Sequence, residues 1–64
     1  MKNYNAKRRK TIIDIAKNLG CTDIDYLDKN SNITDEKAIM YIEHHHCPND
    51  TFRRMFKERI NSLN

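Results

Sequence analysis

Residues 33–47 read Ile33-Thr34-Asp35-Glu36-Lys37-Ala38-Ile39-Met40-Tyr41-Ile42-Glu43-His44-His45-His46-Cys47, and the state of this segment decides the fold. The run Ala38-Ile39-Met40-Tyr41-Ile42 is apolar on nearly all sides. Such a run fits a short buried strand or the middle of a buried helix, and periodicity alone does not separate the two. The flanks do. Thr34 is a good N-cap, and Asp35 and Glu36 complement the positive end of a helix dipole. Ile33 is placed to pack on Ala38 as a hydrophobic staple. The segment is therefore predicted as a helix from Asp35 to about His45, central and buried.

Working outward, Pro48 breaks the pattern, and Asn49 or Asp50 caps a further helix over residues 50–62. Phe52, Met55, Phe56, Arg59, Ile60 and Leu63 recur there at three and four, the spacing of one helical face. Arg53, Arg54, Lys57 and Glu58 fall mainly on the other side. Upstream, Ile12, Ile13, Ala16 and Leu19 share a helical face, and Gly20 suits the left-handed position that ends a helix. This first helix starts either at Asn5, as cap, or at Thr11, whose pairing with Asp14 fits a capping box. In the second case residues 1–10 form a basic N-terminal arm ahead of a single helical domain at 11–64. A short helix from Asp23 to about Lys29 is expected between them, with Thr22 as its cap. Asn30, Ser31 and Asn32 read as a loop. The expected fold is all-α, a compact three- to four-helix domain.

Composition agrees. The chain has 64 residues, a single Gly, a single Pro and no Val, too little punctuation for a series of hairpins. At this length one core rarely contributes more than about 3–5 kcal/mol, which excludes a large enzyme with a deep enclosed pocket. No apolar run approaches the ~18 residues of a membrane span, and no hydrophobic stretch of a signal peptide follows the first basic residues. Two cysteines are too few for a secreted disulfide framework, so a reducing cytoplasmic setting is the expectation. Eight Asn, eight Ile and seven Lys suggest an AT-rich coding genome of the sort found in low-GC bacteria, their phages and some large viruses.

The formal net charge of +3 hides an uneven layout. Residues 1–10 carry +5 through Lys2, Lys7, Arg8, Arg9 and Lys10. Residues 21–36 carry −4, and residues 51–64 carry +3. Opposite signs on so small a body point to recognition.

Two segments resemble helix-turn-helix DNA-binding domains. In Ile12-Ile13-Asp14-Ile15-Ala16-Lys17-Asn18-Leu19-Gly20-Cys21-Thr22, the residues Ala16, Gly20, Cys21 and Thr22 match the small residue, turn glycine, apolar residue and cap of that motif. Tyr26 and Lys29 depart from it. The helix that would enter the groove also carries Asp23, Asp25 and Asp28, which would face phosphates. The second segment, Asp50-Thr51-Phe52-Arg53-Arg54-Met55-Phe56-Lys57-Glu58-Arg59, resembles the recognition helix of arabinose-regulator-type activators. The resemblance implies Phe52 and Phe56 in the core and Thr51, Arg53 and Arg54 at the contact surface. His44-His45-His46-Cys47 stands where that family has a turn glycine.

The leading expectation is a small non-enzymatic regulator that binds nucleic acid, without a cofactor. Lys7, Arg8, Arg9 and Lys10 would anchor phosphates, and Arg53, Arg54 and Lys57 would line the contact helix. The alternative is an inhibitor or adaptor of the phage type that binds a host protein through Asp23, Asp25, Tyr26 and Asp28. A third reading is a metal-stabilised module using Cys21, His44 and Cys47, although the Cys-x-x-Cys spacing of structural zinc sites is absent. Tyr26, Tyr41, Phe52 and Phe56 are expected in the core, and Tyr4 is the aromatic free to meet a partner. A homodimer would complete so small a core.

Overall fold

The computed structural model describes residues 4–63. The domain is all-α: α1 spans Ala6–Asn18, α2 spans Asp35–Tyr41 and runs on as a π-helical segment Ile42–His46, and α3 spans Asp50–Ser62. One 3-10 turn, Asp25–Leu27, interrupts the long connection from α1 to α2. No strand occurs among the described residues, so the apolar run at 38–42 is helical as its caps predict.

Local chemistry sets the helix ends. Asn5 Oδ1 accepts from the Arg8 N–H at 3.0 Å and starts α1. The Thr34 hydroxyl accepts from the Lys37 N–H at 3.0 Å and starts α2. Asn49 Oδ1 accepts from the Phe52 N–H at 3.1 Å and starts α3. Each side chain satisfies one donor that a helix start leaves orphaned. α1 ends as Gly20 requires. Gly20 takes φ +101°, and the Gly20 and Cys21 N–H groups return to the Lys17 and Ala16 carbonyls, both at 3.0 Å. That pair of bonds is a Schellman closure, which needs a residue tolerant of positive φ.

The Asn5 cap removes the boundary at residue 10. Residues 6–10 are the first turns of α1, and no separate arm exists from Asn5 onward. Thr11 caps nothing; its hydroxyl bonds back to the Lys7 carbonyl at 3.1 Å. Lys2 lies outside the described residues.

The predicted helix at 23–29 is also absent. Asp23 adopts φ +61°, which no helix accommodates, and only Asp25–Leu27 coil, in the tighter 3-10 form. Thr22 is exposed, outside any helix. What the segment keeps is its apolar anchors, Ile24 and Leu27, which are 1% and 0% exposed.

The core draws on every element. Ile12, Ile13, Ala16 and Leu19 from α1 meet Cys21, Ile24 and Leu27 from the connection, Ala38, Ile39 and Ile42 from α2 and its extension, and Phe56 and Ile60 from α3. Ile33 packs against this cluster just before the Thr34 cap, in the staple position. Met40 departs from the expected all-round burial and stands 53% exposed.

Candidate nucleic-acid interface and the charged cluster behind it

Arg9 lies one turn before Ile12 and Ile13 on the buried stripe of α1, and it is fully buried. All three nitrogens of its guanidinium are engaged. Nε donates to Asp35 Oδ1 at 3.0 Å. One terminal nitrogen donates to the Leu27 carbonyl at 2.7 Å and the Asn30 carbonyl at 3.1 Å. The other donates to the Ile33 carbonyl. The Tyr4 ring covers the group, with its centroid 4.7 Å from the guanidinium carbon. Burial of a charge is costly unless it is paired and hydrogen-bonded, and here both conditions hold.

Asp35 completes the cluster at 5% exposure. Its carboxylate accepts from the Asn5 N–H at 3.2 Å and from Arg8 at 3.5 Å, besides Arg9. It therefore joins the start of α2 to the start of α1. Among the described residues, no buried side-chain nitrogen or oxygen lacks a partner. Arg9 is consequently a structural residue and not a phosphate anchor: a core guanidinium cannot reach a ligand. The signal was present in the sequence, since Arg9 falls three and four residues before Ile12 and Ile13 on one helical face. Tyr4 is likewise occupied, its hydroxyl reaching the Asp28 carbonyl at 3.4 Å.

The remaining cations divide by what surrounds them. Arg8 is partly exposed and ion-paired to Asp35 at 3.5 Å and Glu36 at 4.0 Å. Arg53 is half-buried; it donates through Nε to the Glu43 carbonyl at 2.9 Å and also pairs with Asp50. It ties α3 to the end of α2 and is poorly placed to leave for a ligand. Among the described residues, Lys10 has only Asp14, at 4.0 Å. Lys7, Arg54, Lys57 and Arg59 are exposed and have no carboxylate within 4.0 Å among the described residues. Two shallow depressions follow the packing of α1 against α3. One, of about 160 Å³, brings Arg8 together with Lys57, and the other brings Lys7 beside Leu63. Lys7, Arg8 and Lys57 thus border the α1/α3 seam, with Glu36 and Glu43 beside them, while Arg54 stands on the outer side of α3 near Asp50 and Glu58.

The acidic segment is weaker than its count suggests. Asp35 is buried, Glu36 meets Arg8, and Asp25 pairs with Lys17 at 2.6 Å. That hydrogen bond and charge from Asp25 raise the Lys17 pKa. Asp23 remains exposed and Asp28 partly so. Tyr26, expected in the core, is 53% exposed, and its hydroxyl shares a 2.9 Å hydrogen bond with His46 Nε2. A single 3-10 turn cannot hold both Tyr26 and the anchors Ile24 and Leu27 inward.

The three-donor metal set is not assembled. Cys21 and Cys47 approach to 3.8 Å, but no group of three or more His, Cys, Asp or Glu side chains suited to a metal ion occurs among the described residues. His44 is exposed, with Glu43 at 3.9 Å.

The fold defines a small all-α domain. Comparison with protein-family models, curated proteins and solved structures gives no match. No described helix is long and apolar enough to cross a membrane.

Proposed function

We propose that this chain is a small regulator that binds nucleic acid through the exposed face of α3, with the start of α1 as a flanking anchor. One observation carries the reading: Lys7, Arg54, Lys57 and Arg59 are exposed on two packed helices without a neighbouring carboxylate within 4.0 Å. Cations held free of internal partners are the groups that displace counterions from a phosphate backbone. The first resemblance, at residues 12–22, does not supply the contact element, because only one 3-10 turn follows it. The second supports α3 in that role, since α3 is a regular helix preceded by a helical segment and a short turn, Cys47 to Asn49, although Arg53, a contact residue under that resemblance, is turned toward Glu43. The acidic alternative is less favoured, since Asp25 is paired with Lys17 and the helix expected to present Asp23, Asp25, Tyr26 and Asp28 together is reduced to one 3-10 turn.

The test is duplex DNA binding by fluorescence anisotropy across a salt series. The expected outcome is a log–log salt slope that falls by about 2 in the Arg54→Ala/Lys57→Ala variant, roughly one for each phosphate contact removed. Lys7→Ala lowers it by about 1. Arg53→Ala, by contrast, lowers stability because it frees the Glu43 carbonyl. No duplex binding at low salt, or an unchanged slope in the double variant, would overturn the reading.

A further inference from the structure

Cys21 and Cys47 are 26 residues apart in sequence, yet their sulfurs lie 3.8 Å apart. Both thiols are free, Cys21 buried and Cys47 half-buried. Cys21 directly follows the left-handed Gly20, and Cys47 is extended at φ −80°, ψ 126° just after the π-helical segment. Neither residue is inside a helix. A disulfide requires its sulfurs at about 2.0 Å, so closure needs each sulfur to move by roughly 1 Å, a displacement that side-chain rotation and two irregular segments can absorb.

We propose that Cys21 and Cys47 are a redox-responsive modification site, which a small-molecule disulfide converts into an intramolecular crosslink between the end of α1 and the entry to α3. Cys47, the more exposed thiol, loses its proton and attacks one sulfur of an organic disulfide R–S–S–R. The S–S bond breaks, a mixed Cys47–S–S–R disulfide forms, and the departing thiolate takes up a proton as R–SH. Cys21 then loses its proton and attacks the Cys47 sulfur, breaking the mixed disulfide and releasing the second R–SH. Two cysteine thiols are oxidised by two electrons, and R–S–S–R is reduced to two R–SH.

The surroundings set the character of the pair. Burial, with Cys21 alongside, pushes the Cys47 thiol up to about 11; Glu43 adds to this and Arg53 opposes it. The thiolate is therefore scarce at neutral pH, and the first attack is slow. This is the profile of a site that records sustained oxidation, not of a turnover catalyst. The crosslink also encloses the 3-10 turn, the three carbonyls bound by Arg9 and all of α2, so it restrains the least regular part of the chain.

The experiment incubates the full chain, natively folded, with glutathione and oxidised glutathione, followed by alkylation and mass measurement. The expected product is a monomer that has lost two hydrogens and resists alkylation, with no accumulated glutathione adduct. Cys21→Ser is expected to stop at the adduct on Cys47. The oxidised chain is expected to melt on the order of 10 °C higher than the reduced one, reversibly on adding a thiol reductant. A wild-type chain that accumulates the adduct, links into dimers, or closes its ring only in denaturant would overturn the proposal. The wild-type arm decides the outcome even if the buried Cys21→Ser change impairs folding.

Discussion

Arg9 shows how position on a helix outranks residue type. Its guanidinium holds five hydrogen-bonding sites, and the Asp35 carboxylate and the Leu27, Asn30 and Ile33 carbonyls fill the ones aimed inward. Arg9→Met removes the buried one of the two arginines paired with the Asp35 carboxylate and orphans these carbonyls, a loss of about 3–5 kcal/mol. The whole domain has little more than that to lose. The variant is expected to show little helical signal in circular dichroism at 25 °C. Asp35→Asn keeps an acceptor for Arg9 and is expected to cost less than Arg9→Met; the reverse ranking in denaturant titrations would contradict the structural role given to Arg9. In the sequence, the basic run at residues 7–10 reads as one charge block. Only the buried stripe separates Arg9 from Lys7 and Lys10, which stay exposed.

At the scale of elements, Gly20 is the sharpest local determinant. A Cβ added there meets nothing within 4 Å, so a substitution is penalised by backbone conformation alone. Gly20→Ala is expected to cost about 1–2 kcal/mol, and Gly20→Asn less, because Asn tolerates positive φ. Thermal midpoints of the three proteins give the order directly. The end of α1 and the start of α2 were legible because caps are local: Gly20 and Thr34 each act within a few residues, whereas the starts of α1 and α3 each offer two candidate caps, of which the structure selects Asn5 and Asn49. The segment 23–29 was not legible, because its path is dictated from far away. Arg9 captures the Leu27 and Asn30 carbonyls, and Asp23 turns through positive φ to present Ile24 to the core. The same holds for the thiols. No spacing motif links Cys21 to Cys47, and they meet only because α1 and the π-helical segment finish at one end of the core.

For the molecule as a whole, a Cα radius of gyration of 10.6 Å matches the roughly 10.7 Å expected of a compact chain of this length. Every element contributes to one core, so titration of a single group packed against it is felt by global stability. Cys47 supplies a case. Its thiol is pushed up from an ordinary 9.0 to about 11 in the fold, first by burial and then by Cys21. Between those values the unfolded chain has lost a proton that the folded chain retains, so stability falls as pH rises. The contribution is complete below pH 9 and is lost as pH climbs toward about 11. Urea midpoints measured from pH 8 to pH 11 are expected to decline, and Cys47→Ser is expected to flatten that decline. An identical slope in the serine variant would place the titration elsewhere.

The three carbonyls held by Arg9 lie 18, 21 and 24 residues further along the chain. Closing a ring of that size on the guanidinium is an entropic hurdle, but ring entropy grows only with the logarithm of length. Once Leu27 is captured, the rings to Asn30 and Ile33 are merely three residues longer each, and their closure is nearly free. One side chain thus acts as a zipper pull for a segment with no regular hydrogen-bond ladder. The irregular connection is therefore expected to order cooperatively with α1 and the start of α2, the two ends of the Arg9–Asp35 cluster, and not as a unit of its own.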